Sequence, residues 1–177
     1  MQRLHSRGFS LIELVVVLAL IAGTMAMAVP TMGDLLTKSR QRNLAKAIDH
    51  AITIARTEAI RRNARVNLCI SADQQTCTQK GGWEQGWIIY PDTSRSLEVK
   101  EDIAHYESAG TFFNLTAIGN QPVRSYLSFV SSGRPLLLGG AFQAGTITVC
   151  APGQKAIEVV MAATGRTRIE NTSASCP

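Results

Sequence analysis

Two arginines at i and i+2, in Gly165-Arg166-Thr167-Arg168, offer the clearest binding chemistry in this chain. Alternate residues of a β-strand share a face, which would set the two guanidinium groups about 6.6 Å apart. Forks so placed can each grip a phosphate along a nucleic-acid backbone. Arg134 and Lys155 extend that patch if the fold brings them near. Four cysteines, Cys69, Cys77, Cys150 and Cys176, offer a second chemistry, disulfide formation in an oxidising compartment. Of three connectivities, Cys69 with Cys77 and Cys150 with Cys176 is favoured: the first closes a short hairpin-like loop and the second ties the tail to a sheet. A third feature is Glu13, the one ionisable residue in an otherwise apolar stretch. A carboxylate near mid-bilayer costs about 2.5–3.5 kcal/mol, so it calls for a cationic partner.

Other chemistries lack their residues. There is no Cys-x-x-Cys, and His5, His50 and His105 are the only histidines, so no metal site is expected. No phosphate-cradling Gly-Lys-Ser/Thr loop, Gly-x-Ser-x-Gly elbow or recognisable carboxylate pair occurs, so neither an enzyme nor a cofactor is expected. Trp83 and Trp87 are compatible with base stacking, but their neighbours Ile88 and Ile89 favour a packing role.

The elements that position these residues follow from patterning. At 177 residues, 45% hydrophobic and 18% charged, the chain has room for one domain and an appendage. Mean hydropathy is +0.06 and net charge +5. The appendage is Phe9–Val29, 21 residues interrupted only by Glu13 and long enough to cross a bilayer. Arg3 and Arg7 ahead of it favour a cytoplasmic N-terminus, which puts the body outside. A cleaved secretory signal ending at Ala22-Gly23-Thr24-Met25-Ala26-Met27-Ala28 is the rival reading, against which Glu13 argues. After Pro30, Leu44, Ile48, Ala51, Ile52, Ala55 and Ala59 recur at helical spacing, while Lys38, Arg42, Lys46, Asp49, Thr53 and Arg56 gather on the opposite side. The pattern predicts one helix from Phe9 to about Asn63, roughly 80 Å at 1.5 Å per residue.

Strand-like runs follow at Val66–Ile70, Gly86–Tyr90, Ile103–Glu107, Tyr126–Val130, Gly145–Cys150 and Ile157–Met161, separated by Gly, Pro and Asn turn signals. Between Asp92 and Asn120 lies a softer, acidic region. Basic residues concentrate in the helix and the C-terminal third.

Gly8-Phe9-Ser10-Leu11-Ile12-Glu13 resembles the processing site of type IV prepilins and type II secretion pseudopilins. The resemblance implies cleavage by a prepilin peptidase after Gly8, N-methylation of Phe9, and a role for Glu13 in meeting the N-terminal amine of a neighbouring subunit. Pro30 falls where many pilins carry a proline. Ile54–Ile60 leading into Val66–Cys69, then Trp83–Trp87 and a closing Thr164-Gly165-Arg166, resemble the FimT, FimU and GspH branch of minor pilins and pseudopilins. In that branch the Gly-Arg-x-Arg word of Arg166 and Arg168 resembles the DNA-binding motif of FimT-type proteins.

The expectation is an α+β pilin architecture: a leader over 1–8, a transmembrane and assembly helix over 9–29, its amphipathic continuation over 30–65, and a β-rich periplasmic head over 66–177. The expected task is that of a minor type IV pilin at or near the tip of the fibre. Its expected partners are other pilins, prepilin peptidase, the bacterial inner membrane and double-stranded DNA. Two alternatives stay open: a priming subunit without a ligand, and an H-type pseudopilin of type II secretion.

Overall fold

The structure, a computed structural model, describes residues 10–100, 102–108 and 114–176, apart from the side chains of 25–32 and 108. Gly8 and Phe9 lie outside the described residues. The chain forms two compact units, residues 1–37 and 38–177.

Helix α1 runs Leu11–Arg62. In the first unit its large apolar side chains are exposed, from Leu11 at 81% to Ile21 at 44%, a surface that calls for an apolar surrounding. Glu13 is exposed among them, in the first turn of α1. Among the described residues no helix is long and apolar enough to cross a membrane. The span read from the sequence extends past that set at Phe9 and at the side chains of 25–29.

In the second unit α1 buries Leu44, Ala45, Ile48, Ala51, Ile52, Ala55 and Ala59, a continuous stripe at steps of three and four. The helix ends where Asn63 takes a left-handed φ of 49°. Asn63 N–H donates to Ile60 O and Ala64 N–H to Ala59 O, both at 3.2 Å, which satisfies two of the last carbonyls in a Schellman turn.

Two four-stranded antiparallel sheets pack on that stripe. The first holds β1 (Val66–Ile70), β2 (Gly86–Pro91), β3 (His105–Ser108) and β5 (Tyr126–Phe129) in the order β3-β2-β1-β5. The second holds β4 (Thr116–Gly119), β6 (Gly145–Cys150), β7 (Lys155–Met161) and β8 (Thr167–Ser175) in the order β4-β6-β7-β8. This is the α+β architecture of a helix on antiparallel sheets.

Central strand β1 is buried on both faces. Val66, Leu68 and Ile70 enter the main core with Trp87, Ile89, Ile147, Val149, Val159 and the helix stripe. Cys69 points into a second cluster with Ile88 and Tyr90, against which Val99 and Ile103 pack. Asp92 ties down the segment after β2: its Oδ1 accepts from Ser94 N–H at 2.9 Å, and its Oδ2 accepts from Asn67 Nδ2 at 2.9 Å. At the β5 edge, Gln143 meets backbone groups that no strand covers. Its Oε1 accepts from Ser128 N–H at 3.0 Å, and its Nε2 donates to Tyr126 O at 2.9 Å and Pro122 O at 3.1 Å.

Strands β4 and β8 differ from the sequence reading, which saw no strand at Thr116–Gly119 and none extending to Ser175. Only four residues long, β4 is held from outside, as Glu84 Oε2 accepts from Ala117 N–H at 2.8 Å. Almost wholly exposed, β8 carries no alternating apolar pattern and exists by pairing with β7.

Disulfides join Cys69 to Cys77 and Cys150 to Cys176. They close loops with sequence separations of 8 and 26 residues. Loop-closure entropy then assigns about 2.5 kcal/mol to the first and about 3.5 kcal/mol to the second. Urea unfolding of Cys→Ser pair variants is expected to show losses in that order, with removal of Cys150–Cys176 also releasing the end of β8 to rapid amide exchange.

Candidate functional site

The β7–β8 hairpin carries Arg166 and Arg168. Gly165 makes the turn at φ +78°, its N–H donating to Ala162 O at 2.8 Å, and Ala162 N–H donates to Arg166 O at 2.9 Å. Arg166 therefore stands just ahead of β8, and Arg168 lies within it opposite Val160. Both side chains are exposed. They are not equivalent, because Arg168 Nε bonds Glu170 Oε1, two residues along the same strand. Part of its charge is thus engaged within the protein, while no ion pair engages Arg166 among the described residues.

Arg134 is brought to the same end of the head. A Cβ on Gly165 would stand 2.9 Å from Gly133 O and 3.3 Å from Pro135 Cδ, so the loop that carries exposed Arg134 packs against the hairpin turn. Gly133, at φ +72°, is pressed in turn onto α1, where a Cβ would meet Ile60 Cδ1 at 2.8 Å and Arg56 Nε at 3.1 Å.

Arg56 is the residue that the sequence reading misplaced on the exposed side of the helix. The hairpin covers it: Nη1 donates to Gly165 O at 3.4 Å, and its buried Nε has no hydrogen-bond partner among the described residues. A buried donor left unmet costs about 1–3 kcal/mol. With Thr53, Thr57, Ile60, Arg166 and Thr167 it lines an open groove of about 390 Å³. Its signal in the sequence was its place beside Ala55 and Ala59, on the shoulder of the apolar stripe. At this end of α1, Arg61 and Arg62 both bond Glu58, at 2.7 and 2.6 Å, and hold its carboxyl down at about 2.

Lys155 is not part of this patch. It begins β7, opposite Ser175, five residues from the partner of Arg168 and so about 16 Å away. There it lines a second groove, of about 400 Å³, with Lys38 and Arg42 of α1. No group of His, Cys, Asp and Glu suited to a metal ion occurs among the described residues.

The family model described as "Type II transport protein GspH" matches residues 44–165, from the core stripe of α1 through β1 to β7 and the turn at Gly165. The chain belongs to the GspH family. A second model, "Prokaryotic N-terminal methylation motif", matches residues 3–29 of this GspH-family chain. Two solved structures of one protein share the fold at low identity. The type IV minor pilin FimU of Pseudomonas aeruginosa strain PAO1, in space group P21, is 17% identical with a TM-score of 0.59, covering 77% of this chain and 96% of its own. FimU in space group P65 gives 17%, 0.56, 75% and 98%. The minor pseudopilin EpsH from the type 2 secretion system of Vibrio cholerae is 14% identical with a TM-score of 0.48, over 75% and 97%. No curated protein matches the GspH-family chain. The family match stops at Gly165, so Arg166 and β8 lie beyond it.

Two expectations follow for this end of the head. Gly165→Ala forces a Cβ toward Gly133 O in a left-handed turn, and should destabilise the protein by about 1–3 kcal/mol in thermal or urea unfolding. Glu58→Gln should be less stable than the parent above pH 4.5. A carboxyl whose folded value is lowered stabilises fully above its unfolded value and loses that contribution as pH falls, so the two proteins should converge between pH 4.5 and about 2.

Proposed function

We propose that this GspH-family chain is a minor type IV pilin, docked among other pilins at or near the tip of a fibre, that holds double-stranded DNA at the arginine pole of its head. Convergence of Arg166, Arg134 and Arg56 from three separate segments onto one end of the head supports the DNA reading most directly. Guanidinium groups there meet phosphate as charge-assisted, bidentate donors. Arg166 contributes most, because Arg168 must first be drawn from Glu170.

The match to the methylation motif supports the processing assigned to the N-terminus: removal of the leader after Gly8 by a prepilin peptidase, methylation of Phe9, and use of Glu13 as partner to a neighbour's amine. Two disulfides support a head in the periplasm, held by a single span in the inner membrane before assembly. A second reading, an H-type pseudopilin of type II secretion, is favoured by the description of the family model and by its ending ahead of Arg166.

Gel-shift titration with duplex DNA over a range of salt separates these readings. Arg166→Gln with Arg168→Gln should lower affinity and reduce the salt slope by about 0.9 for each phosphate no longer neutralised. Arg166→Gln alone should account for most of the loss, Glu170→Gln should strengthen binding by freeing Arg168, and Lys155→Gln should change little. Unaltered affinity and slope in the double variant would overturn the DNA assignment and leave the pseudopilin and priming readings.

A further inference from the structure

The second groove plays no part in the DNA reading. Lys38, Gln41 and Arg42 from α1, Lys155 from β7, and Asn171 and Thr172 from β8 line a depression of about 400 Å³, within the size range of small-ligand sites. Three are cations, and none of the lining residues is a carboxylate. The grouping is held in place: buried Gln41 donates through Nε2 to Val149 O and to Lys155 O, both at 2.9 Å, which locks this turn of α1 onto β6 and β7. Like charges assembled on a rigid frame repel unless an anion sits among them.

Position in the chain says which anion. Lys38 follows Val29 by nine residues, a reach of at most about 32 Å for fully extended chain. The two disulfides put the head on the oxidising side of the membrane, where Lys and Arg close to a span run against the usual charge bias of membrane proteins. Cations retained there, facing one groove, indicate a use for the charge.

We propose that this groove seats the phosphate of an anionic phospholipid headgroup in the outer leaflet, holding the head against the bilayer before assembly. The inference rests on reading Phe9–Val29 as a membrane segment. Lys38, Arg42 and Lys155 supply the charge, and Asn171 and Thr172 supply polar groups beside it.

Amine reactivity tests this on the full-length protein with its disulfides intact, in vesicles of phosphatidylcholine alone or mixed equally with phosphatidylglycerol. Mass spectrometry should find Lys38 and Lys155 labelled about tenfold more slowly in the mixed vesicles, with Lys46, Lys80 and Lys100 little changed. Arg42→Gln should restore much of the reactivity of Lys38 and Lys155, whereas Arg42→Lys should keep the protection.

Equal rates in both vesicles, or slowing of every lysine alike, would overturn the proposal. So would matching protection by inorganic phosphate or by duplex DNA added to phosphatidylcholine vesicles, because the site would then take another anion. Vesicle flotation reports membrane anchoring separately: protein that fails to float removes the membrane reading itself, while protein that floats with unchanged lysine rates removes only the lipid site.

Discussion

A single stripe of α1 closes the head, and its side chains are small where closeness matters. Ala45, Ala51, Ala55 and Ala59 are buried between Leu44, Ile48 and Ile52. Alanine lets the two sheets come against one helix, and the larger residues fill the space between them with Leu68, Ile89, Val149 and Val159. Neither sheet has another apolar partner of that size among the described residues. Burial of the stripe therefore sets where the Gly133 loop and the β7–β8 turn meet the helix.

Polar anchors mark both ends of that contact. Gln41 bonds the carbonyls of Val149 and Lys155 near the start, and Arg56 reaches the carbonyl of Gly165 further on. Each anchor has an open groove beside it, lined by polar residues of the helix shoulder and of the β7–β8 hairpin. The β7–β8 hairpin runs from one groove to the other, with Lys155 at its base and Arg166 at its turn. One structural element thus separates two basic surfaces that composition alone would merge into one.

Which cations remain available is decided by their acidic neighbours. Glu58 occupies Arg61 and Arg62, and Glu170 occupies Arg168. Arg166 and Arg134 keep their charge for the surroundings. The match to the GspH family takes in Arg134 and ends at Gly165, one residue ahead of Arg166.

Local periodicity was enough for much of this. The stripe from Leu44 to Ala59, the helix stop at Asn63, and the apolar runs of β1, β2, β5, β6 and β7 are patterns of neighbours in sequence, and each run marks an element that buries at least one face. The motif at Gly8, Phe9 and Glu13 is equally local. Thr116–Gly119 and the length of Thr167–Ser175 were not legible as strands, since neither has an apolar face of its own: the first is held by β6 and Glu84, far away in the chain, and the second by hairpin pairing with β7. Lys155 illustrates the same limit: only ten residues separate it from Gly145, yet the β6–β7 turn and Gln41 commit it to the end opposite Arg168. By itself the sequence determined the elements and the chemistry each carries. The tertiary structure alone decided which arginines share a surface, because the grouping of charges from separate segments depends on how those segments pack.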